Sequence, residues 1–342
     1  MTERKLATIR TVSELKPIEG ADRIELAVVD GWQVIVQKGE YNPGDRAVYV
    51  EIDSWVPHAI APFLTKGKTP KEYKGIPGNR LKTVRMKGVL SQGLLLPITT
   101  LIAPAEEGVD VSSELGVFKW EKEIPTALAG ICKGSFPSFL VKTDQERIQN
   151  CWKYFDEGDK RDSWVITEKL DGSSMTVYLK DGEFGVCSRN IDLKEDETNS
   201  FWKTARKLDL ENKLRKFVAE VGEDIAIQGE LIGPGIQGNP YNLTEHMFYV
   251  FAVYNITNQM YEPVGTAIWF AEKSLQIPFA PIIATIDSLP EHLSTLLRTA
   301  EGNSLLCNAT EREGFVFHRQ NLRSNHYNSF KVISNSWLLA NE

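Results

Sequence analysis

The chain has 342 residues, 42% of them hydrophobic and 25% charged, with a formal net charge of −7; this suits two domains of a globular protein and argues against wholesale coating of nucleic acid. No apolar run approaches the ~20 residues that span a bilayer, and "MTERKLATIR" lacks the apolar core of a secretion signal. Cys132, Cys151, Cys187 and Cys307 lack paired zinc-type spacing, so buried thiols in a reducing compartment, cytoplasmic or nuclear and not secreted, are the expectation.

The first third reads as all-β. Ile24, Leu26 and Val28 alternate, Asp30-Gly31 supplies a turn, and Trp32, Val34 and Val36 alternate again, which predicts a hairpin. "YNPGDRAVYVEID" places a Pro-Gly turn before a strand from Ala47 to Ile52, and "LKTVRMKGVLSQGLLLP" adds two short strands with glycine breaks. Short strands separated by turns predict a small closed barrel. From Lys66 to Gly88 the chain holds eight basic residues and one acid, Glu72. This local stripe is either a solvated loop or a contact face. "LKPIEGADRIELAVVDG" and "QKGEYNPGDRAVYV" resemble an OB-fold of the tRNA-binding kind over roughly the first 100 residues.

Residues 100 to 142 are connective in character, which sets a boundary between a domain at 1–115 and one at 116–342, with 116–142 partly connective. "KTDQERIQNCWKYF" predicts a helix, with Thr143 and Glu146 as its capping box and Ile148, Cys151, Trp152 and Phe155 as its apolar face. From Ser163 the pattern is mixed. The strand-like runs are "WVITEK", "MTVYLK", "FGVCS", "IAIQGELI", "FYVFAVYN", "GFVFHR" and "SFKVIS". A long amphipathic stretch separates the third and fourth, with Trp202, Ala205, Leu208, Leu214, Phe217 and Val218 on one helical face. The second domain is therefore α+β with antiparallel sheets.

Within "ITEKLDGSSM", Lys169 ends a strand-like run beside Glu168, and Asp171-Gly172 turns the chain. Asp-Gly between two such runs also fits an ordinary hairpin. A Lys-x-Asp-Gly string alone is weak evidence, arising by chance in about one chain in ten of this length. The weight comes from the set behind it: Arg189 in "SRN", Glu230 in "QGELIG", Glu313 before "GFVFH" and Lys331 in "SFKVIS". Charges inside apolar strand-like runs are costly unless paired or functional.

In this order the motifs resemble the covalent nucleotidyltransferases, polynucleotide ligases and mRNA capping enzymes, from about Phe136 onward. "FPSFLVKTDQERIQN", "TEKLDGSSM", "SRN" and "SFKVISN" resemble most the RNA ligases of the Naegleria type, whose OB domain precedes the catalytic one. The resemblance implies an N-terminal all-β OB-fold barrel followed by an antiparallel-sheet nucleotidyltransferase domain of the ATP-grasp-like ligase kind. It implies Lys169 as the nucleophile on the α-phosphorus of ATP, and Asp171, Glu230 and Glu313 as acids that hold Mg²⁺ or Mn²⁺ directly or through water. Lys331 is then the α-phosphate cation, Arg189 a ribose or phosphate contact, and Glu168 the acceptor for the adenine amino group. Phe251 is the first choice for the ring on adenine and Tyr249 the second. Arg147 and Lys142 are candidates for the triphosphate or a domain junction.

A free lysine titrates near ~10.4 and a working nucleophile near ~7–8, so a nearby cation and Lys331 are expected to repel its proton. Two features depart from the family pattern. Ser329 stands where ligases often have the first of two lysines, and His318 where many have a lysine. The implied function is ATP-dependent sealing of RNA 3′-hydroxyl and 5′-phosphate ends, in RNA repair, on nicked duplexes, by a monomer. Ribose at the 3′-hydroxyl side is the expected preference. The alternatives are a DNA ligase of unusual domain order, a GTP-dependent capping guanylyltransferase, and a tRNA-binding module fused to an inactive domain.

Overall fold

The computed structural model describes residues 5–103, 105–120, 130–322 and 328–341. The chain divides into two compact units, Met1–Glu123 with Leu338–Glu342, and Ile124–Trp337. Among the described residues no helix is long and apolar enough to cross a membrane. All four cysteines are free; Cys151 and Cys187 are buried, Cys132 and Cys307 half-buried.

The first unit holds twelve short strands: β1 (Ala7–Thr11), β2 (Glu14–Pro17), β3 (Ile24–Val29), β4 (Trp32–Gln37), β5 (Arg46–Val50), β6 (Ser54–Pro57), β7 (Lys71–Tyr73), β8 (Ile76–Arg80), β9 (Val84–Met86), β10 (Val89–Ser91), β11 (Leu94–Pro97) and β12 (Phe118–Lys119). They form small sheets ordered β1-β5-β11, β2-β3-β4, β10-β9 and β12-β6-β8-β7. The predicted hairpin is β3–β4, closed by Asp30 and Gly31 at φ 47° and 81°, the left-handed pair such a turn needs. The stretch expected to hold two short strands holds three. Lys87 and Gly88, at φ 50° and 80°, fold a further hairpin between β9 and β10. Strand β5 is buried on both faces: Val48 and Val50 enter one apolar cluster with Ile9 and Leu96, Ala47 and Tyr49 another with Trp32 and Val34. Alternation along one strand thus serves two layers.

The second unit carries β13 (Cys132–Ser135), β14 (Glu146–Arg147), α1 (Ile148–Cys151), α2 (Glu157–Lys160), β15 (Trp164–Lys169), β16 (Ser173–Lys180), β17 (Glu183–Cys187), β18 (Ile191–Leu193), α3 (Ser200–Lys207), α4 (Leu210–Val221), β19 (Ile225–Ile232), β20 (Met247–Asn255), β21 (Met260–Tyr261), α5 (Val264–Trp269), β22 (Ile282–Ile286), α6 (Leu293–Thr299), β23 (Gly314–Arg319) and β24 (Ser329–Ile333); a last helix, α7 (Asn335–Asn341), starts in this unit. One sheet of seven strands runs β13-β18-β17-β16-β19-β20-β21, and one of five runs β14-β24-β23-β15-β22. Pairing is antiparallel except between β14 and β24. Every strand-like run named from the sequence is a strand.

The amphipathic stretch is two helices rather than one, broken at Asp209, which adopts φ 54°. Trp202, Ala205, Leu210 and Leu214 still pack on Met175, Val177, Ile227 and Val250 of the large sheet. Each large side chain among them, fully buried, contributes roughly 2 kcal/mol. The sheet's other face, with Tyr178, Ala226 and Tyr254, is covered by Phe136, Phe139, Leu140 and Val141. The five-stranded sheet packs its own core, where Trp164, Phe317 and Phe330 meet Ile148, Cys151 and Phe155.

The capping box predicted at Thr143 and Glu146 is absent. Glu146 and Arg147 extend as β14 beside β24, so the helix starts only at Ile148, with Arg147 at the N-cap position. A capping box does occur further on, between Asp156 and Asp159 at the start of α2. Strand pairing overrode the local signal at the first position.

Candidate active site

Strands β15 and β16 look like a hairpin in the sequence but belong to different sheets. Leu170, Asp171 and Gly172 cross from one sheet to the other. Leu170 is buried with Ile232 and Tyr241, and the Asp171 N–H donates to the Tyr241 hydroxyl at 2.7 Å. Gly172 runs so close to β19 that a Cβ there would lie 2.6 Å from the Leu231 carbonyl and 2.9 Å from Glu230 Cγ. The glycine of the motif is thus a close-approach residue rather than a turn residue.

That crossing sets Lys169 between the sheets. Across the ladder it faces Gly314, whose φ of +149° and whose missing Cβ let β23 begin tight against Val332. Glu313, just ahead, places Oε1 2.6 Å from Lys169 Nζ. From the seven-stranded sheet, Glu230 on β19 lies opposite Ser174 on one side and Tyr249 on the other. Lys169, Asp171, Glu230 and Glu313 line one cavity of about 480 Å³, together with Arg189 and Trp337.

Three carboxylates share this space with one lysine, and their charges conflict. Burial, reinforced by Glu313 and Asp171 and opposed by Lys169, pushes Glu230 up to about 8. Burial and Glu313 push Asp171 up to about 6, against the pull of Lys169. Burial alone favours the neutral amine of Lys169, but Glu313, Glu230 and Asp171 outweigh it and hold the ammonium above its ordinary range. The lowered nucleophile expected from the sequence is therefore reversed in this arrangement. The groups acting on Lys169 are acids, and Lys331, expected to repel its proton, is engaged with Asp144 instead, at 3.1 Å. Among the described residues, no three His, Cys, Asp or Glu side chains close tightly enough to enclose a metal ion by themselves.

Of the expected cationic residues Arg189 lines the cavity, whereas Lys331, Arg147 and Lys142 are not among its lining residues. Arg189 sits in the turn between β17 and β18, half exposed, and its guanidinium is 3.7 Å from Asp144. Lys331 on β24 is in register with Arg147 on β14, which is 8% exposed. Lys142 donates to the Asn190 side chain at 2.9 Å. Burial pushes His318 down to about 4, so it packs as a neutral ring, 3.1 Å from the Thr167 hydroxyl.

Glu168 is 1% exposed. Its Oε2 accepts the Leu305 N–H at 2.8 Å, while its buried Oε1 has no hydrogen-bond partner among the described residues. Such an oxygen costs desolvation energy without return unless something else donates to it. The two aromatic candidates separate. The β19–β20 register slips between Gln228 and Gly229, so Phe251 is the extra residue of a bulge and packs on the helix-side core. Tyr249, opposite Glu230, packs instead with Leu170, Ile232 and Tyr241, and burial and Glu168 raise its hydroxyl pKa. Tyr249 therefore lies on the sheet face that carries Glu230, and the bulge turns Phe251 toward the helix-side core.

Asp144, Tyr241 and Leu305 had no signal in the sequence reading. Asp144 lies inside "KTDQERIQN" but has no periodic or motif mark of its own; Tyr241 and Leu305 act from loops whose approach only the fold determines.

A sequence model of the RNA ligase family matches residues 162–333, and one of an OB-fold domain matches residues 6–98. A comparison with curated proteins returns no match. Among solved structures, the chain is similar to a lysine-to-methionine mutant of Naegleria gruberi RNA ligase with AMP and Mn, at 40% identity over 98% of each chain and a TM-score of 0.85. It is similar to a lysine-to-alanine mutant of that ligase with ATP and Mn, at 40% identity, 98% of each chain and a TM-score of 0.85, and to that ligase with PPi, at 40%, 98% of each chain and 0.84. The identity over nearly the whole length and the match across the site strands agree: this chain belongs to the RNA ligase family.

Proposed function

We propose that this RNA ligase uses ATP to join an RNA 3′-hydroxyl to a 5′-phosphate, through an adenylate on Lys169. The observation that carries the reading is the convergence of Lys169, Asp171, Glu230 and Glu313 on one cavity; the preceding residue, Glu168, has a buried oxygen that lacks a donor among the described residues. The Naegleria gruberi structures with AMP, ATP, PPi and Mn support the same ligands here.

In the first step the neutral Lys169 amine attacks the α-phosphorus, an N–P bond forms, and the bond to the pyrophosphate oxygen breaks. In the second an RNA 5′-phosphate oxygen displaces the lysine and takes the AMP. In the third the 3′-hydroxyl oxygen attacks the 5′-phosphorus and AMP leaves. Glu168 Oε1 accepts the adenine amino group, and Tyr249 supplies the flanking ring. Arg189, Lys331 and Arg147 contribute positive charge for phosphate oxygens, which stabilises the charge that develops in transfer.

Asp171, Glu230 and Glu313 suit Mg²⁺ or Mn²⁺. Burial first, and the neighbouring acids second, raise the carboxyl pKa values of Asp171 and Glu230, a cost that a bound cation would offset, and all three donors are hard oxygens. Because they do not enclose an ion alone, water and phosphate oxygens would complete its shell. Such an ion supplies charge beside the phosphates and offsets the acids' hold on the Lys169 proton.

The finer reading is a monomer that seals nicked duplexes in RNA repair, with the OB unit binding the nucleic acid. Only a 2′-hydroxyl distinguishes RNA from DNA at a given nucleotide, and the 3′-terminal sugar sets the angle of attack. The test is sealing of nicked RNA, DNA and hybrid duplexes, together with label transfer from α-labelled ATP or GTP to the protein. Labelling by GTP alone would select the capping reading. Equal sealing of ribose and deoxyribose 3′ ends would select a DNA ligase.

A further inference from the structure

The segment from Phe136 to Arg147 lies over one face of the seven-stranded sheet and reaches the five-stranded one. Phe136, Phe139 and Val141 pack on the sheet, and the Val141 carbonyl accepts from Gln228 Nε2 at 2.7 Å and from the Tyr261 hydroxyl at 3.2 Å. Arg147 ties the other end to Lys331 through β14. Between these anchors, residues 141–145 form no regular structure. Asp144 sits in that slack. One of its oxygens is 3.1 Å from Lys331 Nζ and the other 3.7 Å from the Arg189 guanidinium.

A carboxylate that spreads its two oxygens over two cations occupies them as a phosphate would. Lys331 is largely buried and Asp144 only partly so, at 14% and 29% side-chain exposure. Asp144 lies on a stretch without regular structure, whereas Lys331 is borne on β24. We propose that Asp144 is a built-in competitor for the phosphate-binding pair Lys331 and Arg189, which a substrate phosphate must displace. The inference rests on the reading of those two residues as phosphate cations. It assigns Asp144 a role in binding affinity rather than in bond making.

The probe is inorganic pyrophosphate, titrated calorimetrically into the full-length protein. Asp144→Asn keeps the shape and removes the charge, and should tighten pyrophosphate binding roughly fivefold at low salt, the upper range for a partly exposed ion pair. Asp144→Glu, which restores the charge, should return affinity to the wild-type value. The gain should shrink as salt is added, because the competing pair is screened. In a Lys331→Ala background the Asn substitution should give a smaller gain, since one of the two cations that Asp144 occupies is gone. Unchanged or weaker binding by Asp144→Asn overturns the competitor role. If Lys331→Ala and Arg189→Ala each bind pyrophosphate as wild type does, the phosphate-cation reading itself fails and takes the competitor role with it.

Discussion

Gly172→Ala isolates the crossing between the two sheets. The new methyl would sit 2.6 Å from the Leu231 carbonyl oxygen and from Ile232 Cγ2, and 2.9 Å from Glu230 Cγ. Ordinary contact starts near 3.4 Å, so the crossing and β19 must part by about 0.8 Å. The Leu231 carbonyl belongs to a central strand paired on both sides and cannot yield cheaply. The segment Leu170–Gly172 therefore moves, carrying Lys169 and Asp171 away from Glu230. A displacement of ~1 Å at a reacting group costs ~100-fold in rate, whereas overpacking costs folding only ~1–3 kcal/mol. The substitution should thus leave a folded protein with a large defect in adenylylation. The assay is the single-turnover rate of label transfer from α-labelled ATP, with a thermal melt on the same sample. A folded variant labelled within about threefold of wild type would show that Gly172 does not set the position of the nucleophile.

Lys169→Met should fold and take up no label; a labelled mutant would place the nucleophile elsewhere. Glu230→Ala and Glu313→Ala should each slow metal-dependent adenylylation by ~100- to 1000-fold, the value of a full charge-stabilising contact, and rates near wild type in both would remove the metal reading. His318 titrates at about 4 when folded and near ~6.5 when unfolded, so the native state binds fewer protons between those values. Its contribution is fully present above ~6.5 and is lost as pH falls through about 4, by up to ~3 kcal/mol. Denaturant melts of His318→Gln should show a correspondingly smaller loss of stability from pH 7 to 4 than wild type. Lys71, Lys74, Lys82, Arg85 and Lys87 are all exposed. Replacing them by alanine should weaken RNA binding and flatten its salt dependence, by ~0.9 in slope for each phosphate no longer neutralised.

The strands of the second unit were legible because short apolar runs rich in β-branched and aromatic residues mark strands buried on both faces. Sheet membership was not legible. "TEKLDGSSM" carries the local signature of a hairpin, yet β15 pairs with β22 and β23, and β16 with β17 and β19. Those partners are fixed by packing between segments far apart in the chain. The same limit explains Thr143 and Glu146, whose capping pattern lost to pairing with β24, and Phe251, which a one-residue bulge turned from the site face to the core. Lys169, Glu230 and Lys331 could be named because charge inside an apolar run is costly and thus conspicuous. Asp144 could not, since an aspartate in a polar stretch is ordinary until the fold sets it between two cations.

The distribution of charge around the cavity bears on how the nucleophile is activated. At the start of β24, Ser329 lies opposite His318, and burial keeps that imidazole neutral. The place where a first lysine would stand therefore contributes no charge. The cations are instead displaced toward Arg189, Lys331 and Arg147, while Asp171, Glu230 and Glu313 surround Lys169. The acids hold Lys169 protonated, and Asp144 lies between Lys331 and Arg189. Positive charge brought to the acids would loosen the lysine's proton, and phosphate brought to the cations would free them from Asp144. The first change is electrostatic and acts on Lys169; the second is a displacement and acts on Lys331 and Arg189. On this reasoning the chain does not store a neutral lysine in its resting state. With Lys169 as the proposed nucleophile, ligands that bring positive charge to the acids would release the amine, coupling its activation to occupancy of the site.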